Sequence, residues 1–287
     1  MSKELILALD VGGSSVKSAL VADGPQLVGQ VWVDAIHSQG TAAEILQTLS
    51  KRIASRLEKA TEVRGIAFAF PGPFDYERGI CLIQNQAKYD ALYGLNVGAK
   101  LKEMLGVPTL EVRYRNDAEA AILGEALYGA GVSYSRLLGL TLGTGLGSAF
   151  VADGRPIADD ADVPQHGWLY PLPYAGQRAD DVFSTRGLLR RLQERGIHAV
   201  DVASAIEAAE EEDPVLAECF TSFGADLGRF LAPSVLRFRA QAVLILGGIA
   251  GAWHRFAPSL GGSLPVPVLR GALGERAALF GAAALYF

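Results

Sequence analysis

Three glycine-bearing turns and one Asn-Asp pair hold the residue types in this chain that could do chemistry. The first is Leu9-Asp10-Val11-Gly12-Gly13-Ser14-Ser15-Val16-Lys17, an acid, two glycines, two hydroxyls and a cation set between apolar runs. Glycine permits positive φ and, having no side chain, lets backbone N–H groups approach a ligand closely. Asp10 could face a phosphate-bound divalent cation, because Mg²⁺ takes oxygen ligands and usually keeps several waters. The same residues also describe a plain Asp-Gly-Gly hairpin turn. Gly143-Thr144-Gly145 and Gly247-Gly248 likewise follow apolar runs, and turns of this kind hold phosphate through N–H groups and hydroxyls. Asn116-Asp117 opens a helical stretch. A carboxylate there can orient a hydroxyl and accept its proton, while Asn116 and Glu119 also have the spacing of a helix cap.

The elements that would position these residues alternate along the chain. Glu4 to Val33 reads as three strands joined by turns. Thr41 to Ala60 reads as a helix, with Thr41 and Glu44 at capping-box spacing and Ile45, Leu49, Ile53 and Leu57 on one face. Val63 to Phe70 is a strand ended by Pro71-Gly72-Pro73, Asn96 to Leu105 a helix, Thr109 to Arg113 a strand and Ala118 to Tyr128 a helix. Ala158 to Ala179 reads as loop. Helices are expected over Thr185–Arg195, Asp201–Glu211 and Val215–Phe238, the last interrupted by Pro233. The acidic run Glu207 to Asp213 reads as a solvated helix end. Strand Ala242 to Leu246 precedes the third glycine turn, and an Ala-rich helix fills Gly271 to Phe287. The order is that of an α/β protein.

The second half opens on a copy of the first. Ser18-Ala19-Leu20-Val21-Ala22-Asp23-Gly24 matches Ser148-Ala149-Phe150-Val151-Ala152-Asp153-Gly154, and Gly13-Ser14 falls on Gly143-Thr144. Two related halves follow from this, each with a glycine turn between strands. In that alignment Asp10 and Lys17 correspond to Leu140 and Gly147, so the charges belong to the first turn alone.

Composition removes other classes. Net charge is −5 with no basic block, which argues against a nucleic-acid partner. Cys81 and Cys219 offer neither metal spacing nor a disulfide framework, as suits a reducing cytosol. The short apolar start holds Glu4 and Asp10, unlike a signal peptide, and no run is long enough to span a bilayer. Neither G-x-G-x-x-G nor G-x-x-x-x-G-K-[ST] occurs, so dinucleotide and P-loop sites are unsupported.

Taken together, LDVGGSSVK, FPGPFD (Phe70 to Asp75), RNDAEAAILGE (Arg115 to Glu125), TLGTGLGSAF and LILGGIAG resemble the ROK sugar kinases of the actin/hexokinase superfold, in order and spacing over nearly the whole chain. The resemblance implies a two-domain actin-like ATPase (ribonuclease H-like) fold with a cleft between domains. Residues 1–114, with helix 272–287 packing back on them, would form the first domain and residues 115–271 the second. Asp10, Gly12, Gly13, Ser14 and Lys17 match the first phosphate motif, Gly143, Thr144 and Gly145 the second, and Gly247 and Gly248 the adenosine-side motif. Asp117 matches the catalytic base. Asn85 and Asn116 match sugar contacts. Phosphoryl transfer needs an in-line acceptor, a proton acceptor and neutralised phosphoryl oxygens, and Asp117, Lys17 and Mg²⁺ near Asp10, bound through water, would supply them.

Departures from the family pattern fall at the sugar end. The stretch Tyr174 to Asp181 has no cysteine where many relatives carry a structural zinc site, so no zinc is expected. The family's Glu-x-Gly-His is altered in Val163-Pro164-Gln165-His166-Gly167-Trp168, and a later Glu is replaced by Asp180 or Asp181. Gln165, His166 and Asp180 are the candidate sugar contacts that result, and glucose specificity is in question. The expected protein is a cytoplasmic, homodimeric sugar kinase using ATP and Mg²⁺, with no membrane partner. Two alternatives stand beside it: a catalytically degenerate sugar-binding regulator, and a polyphosphate-dependent glucokinase. A strand starting near Glu4 leaves no room in front for the DNA-binding module of ROK repressors.

Overall fold

A computed structural model describes residues 4–60, 62–208 and 213–287, which divide into two compact units: residues 1–124 with 275–287, and residues 125–274. The chain therefore leaves unit one, builds unit two without interruption, and returns. The division falls within a helix, where the sequence reading puts it at residues 114–115.

Unit one is built on a five-stranded sheet. Strands β1 (Leu5–Val11) and β2 (Ser15–Ala22) form a hairpin, β3 (Gln26–Ala35) follows as an edge, and helix α1 (Ala42–Leu57) crosses to β4 (Val63–Phe70). The short hairpin β5 (Phe74–Asp75) and β6 (Ile80–Cys81), helix α2 (Val97–Leu105), strand β7 (Glu111–Asn116) and helix α3 (Asp117–Tyr128) complete the run. The order across the sheet is β3-β2-β1-β4-β7, antiparallel through the hairpins and parallel from β1 to β7. Central strands covered on both faces need continuous apolar sequence, which Ile6 to Leu9 and Ile66 to Phe70 provide. Helix α1 begins with the capping box expected of it, Thr41 and Glu44 each accepting from the other's end.

Unit two repeats that sheet. Strands β8 (Arg136–Leu142) and β9 (Leu146–Ala152) form the hairpin and β10 (Arg155–Ile157) the edge. After a stretch containing the small hairpin β11 (Pro173–Tyr174) and β12 (Gln177–Arg178) come helices α4 (Ala179–Phe183), α5 (Thr185–Gln193), α6 (Val202–Ala208) and α7 (Pro214–Phe238). Strand β13 (Ala242–Leu246), helix α8 (Trp253–Gly262) and strand β14 (Val268–Arg270) close it, with sheet order β10-β9-β8-β13-β14. The two orders and strand senses coincide, as the internal copy requires. The last helix, α9 (Arg276–Ala283), belongs to unit one and packs on β1 and β4.

Three readings are corrected, and a fourth falls partly outside the described residues. Helix α7 runs through Pro233 without interruption; Leu231 and Val235 on either side are buried, and this packing outweighs the missing backbone bond. Gly271 does not begin a helix: α9 starts at Arg276, residues 271–275 are turn, and Val268–Arg270 form the edge strand β14, disguised by Pro265 and Pro267 just before it. Ala158 to Ala179 is not all loop, since it holds the β11–β12 pair. The acidic run reading and the end of the Asp201–Glu211 helix lie in part outside the described residues; Asp213 itself caps α7, accepting from Val215 and Leu216 N–H groups. No helix among the described residues is long and apolar enough to cross a membrane.

The hairpin registers also revise the alignment of the halves. Val11 pairs with Val16, leaving residues 12–15 in the first turn, whereas Leu142 pairs with Leu146, leaving only 143–145 in the second. Asp10 pairs with Lys17 and Thr141 with Gly147. The counterpart of Asp10 is thus Thr141, not Leu140, because the second turn is one residue shorter.

Candidate active site

Asp10, one residue before the end of β1, faces Lys17 across the hairpin. Burial pushes its carboxyl up to about 6 against the pull of Lys17, and the charges of Asp117 and Glu275 push the same way. Lys17 is drawn aside, its Nζ lying 3.2 Å from Glu275 Oε1. In the turn beyond, Gly12 N–H donates to Ser15 O (2.9 Å). Its carbonyl accepts from the buried Tyr89 hydroxyl, and Gly13 O accepts from Ser38 Oγ. With these carbonyls held from one side, the exposed Gly13 and Ser14 keep N–H groups that find no protein acceptor among the described residues. Free N–H groups on a pinned turn are what an anion needs.

Asn116 is the last residue of β7 and Asp117 the first of α3. The Asn116 amide is spent on both sides: Oδ1 accepts from Glu119 N–H (3.1 Å), and Nδ2 donates to the Tyr76 hydroxyl (3.0 Å). It fixes the chain where Asp117 stands. Burial lifts the Asp117 carboxyl above the ordinary carboxylate range, opposed by the Ala118 N–H and by Lys88. A partly desolvated carboxylate at a helix start is suited to taking a proton. Lys88 comes from a stretch in which Asn85, Ala87 and Tyr89 all have left-handed backbone, with φ of 58°, 54° and 58°. Asn tolerates that region, but a buried Tyr rarely adopts it. The hydroxyl bond to Gly12, and the bond from its N–H to Ser38 O, hold Tyr89 there. Asn85 is exposed.

In unit two, the turn Gly143–Gly145 is braced from several sides. Gly143 N–H donates to Gly145 O, and Gly143 O accepts from Thr185 N–H at the start of α5 (2.8 Å). Asp180 Oδ1 accepts from Leu146 N–H (2.8 Å), and its Oδ2 lies 2.8 Å from Arg186. Both Asp180 oxygens are therefore engaged, one by the end of the turn and one by α5. Thr144 and Gly145 are exposed, and their N–H groups have no protein acceptor among the described residues. Gly247 must be glycine twice over: its φ is 94°, and a Cβ there would lie 2.3 Å from Leu142 O, beside the start of the turn. Beyond Thr144 opens a cavity of about 710 Å³ walled by Thr185, Arg186, Leu189, Arg190 and His198. Both guanidiniums on its wall are engaged, Arg186 by Asp180 and Asp181 and Arg190 by the Gln177 side chain and Asp181 O. Gln165 and His166 lie on a separate exposed stretch, with His166 in left-handed backbone at φ 57°.

The structure thus gathers Asp10, Gly12, Gly13, Ser14, Lys17, Asn116 and Asp117 in unit one. In unit two it gathers Gly143, Thr144, Gly145, Gly247 and Asp180. Sequence reasoning missed Tyr89, Ser38, Lys88, Arg186 and Arg190. No spacing rule marks a Tyr that reaches a distant turn through left-handed backbone, and arginines on a helix face read as solvated.

A sequence model of the ROK family matches residues 6–286. Among characterised relatives, the glucokinase of Halalkalibacterium halodurans is 30% identical over 54% of this chain and 46% of its own length. The N-acetylgalactosamine kinase AgaK of a Shewanella species is 25% identical over 84% of this chain and 81% of its own. This chain spans about half the length of the glucokinases it matches. The ROK hexokinase structure from Thermus thermophilus superposes with a TM-score of 0.78 at 24% identity, covering 97% of this chain and 96% of that one. The fold is accordingly the actin-like two-domain α/β fold.

Proposed function

The chain belongs to the ROK family, and from that premise we propose that it is a sugar kinase, moving the terminal phosphoryl group of ATP to a hydroxyl of a hexose or related sugar. The observation that carries this reading is Asp117, a carboxylate raised by burial at the head of α3 and coupled in charge to Asp10 beside a turn with free N–H groups. Asp117 would orient the acceptor hydroxyl and take its proton. Asn116, its amide already committed, positions Asp117. Asn85, Gln165 and His166, all exposed, are the proposed contacts to sugar hydroxyls. The free N–H groups of Gly13 and Ser14 in unit one suit a phosphate, as do those of Thr144 and Gly145 in unit two, where the cavity beyond Thr144 would take part of the donor.

Asp10 is the residue we assign to Mg²⁺. A lone hard carboxylate fits that ion, which is commonly held by one or two carboxylates, water and substrate phosphate. Bound there, it would neutralise charge on the phosphoryl oxygens.

The test is a turnover assay with hexoses, N-acetylhexosamines and fructose as acceptors, and ATP or polyphosphate as donor. Transfer from ATP to at least one sugar is expected. Transfer from polyphosphate alone would move the reading to the second donor. Silence with every pair, while sugar still binds, would replace the kinase by a sugar-binding regulator.

A further inference from the structure

Three consecutive carbonyls of the turn after β1 accept hydrogen bonds from within unit one. Gly12 O takes the Tyr89 hydroxyl, Gly13 O takes Ser38 Oγ, and Ser14 O takes the Ile36 N–H (3.0 Å). Two of these donors are side-chain hydroxyls from distant parts of the chain: Ser38 follows β3, and Tyr89 lies between β6 and α2. The two are also joined to each other, the Tyr89 N–H donating to Ser38 O (2.6 Å). Turn, Ser38 and Tyr89 thus close a ring of hydrogen bonds.

Packing alone does not call for this arrangement. Tyr89 is wholly buried, its ring 5.5 Å from that of Phe70 between centroids, and a phenylalanine would fill the same place. Its backbone is nevertheless left-handed at φ 58°, a conformation that a bulky residue keeps only where the surrounding structure dictates it. There one residue sends its N–H to Ser38 and its hydroxyl to Gly12. Burial and the charge of Asp10 raise the phenol above its ordinary range, so the hydroxyl stays a donor.

The consequence lies in the peptide groups. A carbonyl and the N–H of the next residue share one plane and, in a trans peptide, point in opposite directions. The Gly12–Gly13 and Gly13–Ser14 peptides are both trans. By drawing Gly12 O inward, Tyr89 turns the Gly13 N–H outward. Ser38 does the same for the Ser14 N–H through Gly13 O. Those two N–H groups are the ones that find no protein acceptor among the described residues. A carbonyl that accepts a hydrogen bond also polarises its peptide, which strengthens the N–H as a donor.

We infer that Tyr89 and Ser38 are positioning residues for a phosphate-type oxyanion at this turn, Tyr89 governing the Gly13 N–H and Ser38 the Ser14 N–H. The inference rests on the sugar-kinase reading for taking that anion as part of the donor, but it is tested without phosphoryl transfer.

Backbone amide NMR of the intact protein, titrated with inorganic pyrophosphate, reads each N–H separately. In wild type the Gly13 and Ser14 amide protons are both expected to move downfield as they bond the anion. Tyr89→Phe, which keeps the ring, should weaken pyrophosphate binding at this turn about tenfold, the worth of one hydrogen bond to a charged group. At saturation its Gly13 shift should be reduced more than its Ser14 shift. Ser38→Ala should weaken binding similarly with the opposite pattern, Ser14 reduced more than Gly13. Thermal unfolding checks that each variant is folded, and if Tyr89→Phe is not, the Ser38→Ala pattern decides alone. Wild-type amides that do not move, variants that bind as wild type does, or shifts reduced equally at both amides overturn the proposal; the last is what mere loosening of unit one would give. A failure of the kinase reading shows separately, as these amide shifts with no transfer from ATP to any sugar.

Discussion

With its carboxyl lifted to about 6, Asp10 keeps its proton in the folded protein over a range where the unfolded chain, with an ordinary value near 3.8, has lost it. Between those values the native state binds more protons, so this residue's contribution to stability falls as pH rises and stays unfavourable at neutral pH. Asp10→Asn is therefore expected to melt higher than wild type at pH 7.5, with the advantage vanishing below about pH 4. Thermal melts at the two pH values check this, and equal melting throughout would contradict it. Divalent cation affinity at Asp10 should weaken below about pH 6, where a proton competes. For Asp117, replacement by Asn is expected to lower turnover by about 10²- to 10⁴-fold, the usual worth of a general base, without lowering the melting temperature. A variant as active as wild type would remove Asp117 from the chemistry. Both acids were legible in the sequence by type and setting. Their raised affinity for protons was not, because it comes from burial and from partners such as Glu275 at the far end of the chain. Asp180 shows the same limit: a missing methylene suggested an altered sugar contact, whereas its carboxylate is engaged by Leu146 and Arg186.

Among the elements, the pairing of α3 with α9 explains why the last helix is so rich in Gly and Ala. A Cβ on Gly281 would lie 1.8 Å from Ala120 O, and one on Gly124 would lie 2.0 Å from Ala277 O. The two backbones touch, and neither position leaves room for a methyl group. Gly281→Ala forces the helices apart and is expected to cost about 2 kcal/mol or more in chemical denaturation, despite the better helix propensity of Ala. A stabilised variant would show that the contact gives way freely. The capping box of α1 could be read from Thr41 and Glu44 because both signals lie within one turn of helix. Strand β14 could not, because Pro265 and Pro267 just before it signal against strand until β13 is seen beside it. The one-residue difference between the glycine turns was hidden for a related reason. Sequence identity aligned the second strands, and only hairpin register shows where the first strands slip.

At the scale of the whole molecule, the two sheets with one strand order trace to the copy visible in Leu7 to Gly24 and Leu137 to Gly154. That repeat, with the α/β alternation, made the fold class legible. The division of the chain was less so, because α3 carries it inside a helix with no change in composition. Unit one needs α9, whose residues from Ala277 to Ala283 are all buried, and the Tyr286 hydroxyl, which donates to Ile66 O and Glu111 O. Deleting residues 275–287 is expected to abolish protection of β1 and β4 in hydrogen exchange while unit two stays protected. Equal loss in both units would show that they unfold as one. The interleaved layout also orders the protein's assembly in time. On a ribosome, all of residues 125–274 is made before α9, so the unit second in sequence has its full complement of strands and helices first. Unit one waits with the β1 and β4 face uncovered until the final helix arrives, and during synthesis that face is where a chaperone would be needed.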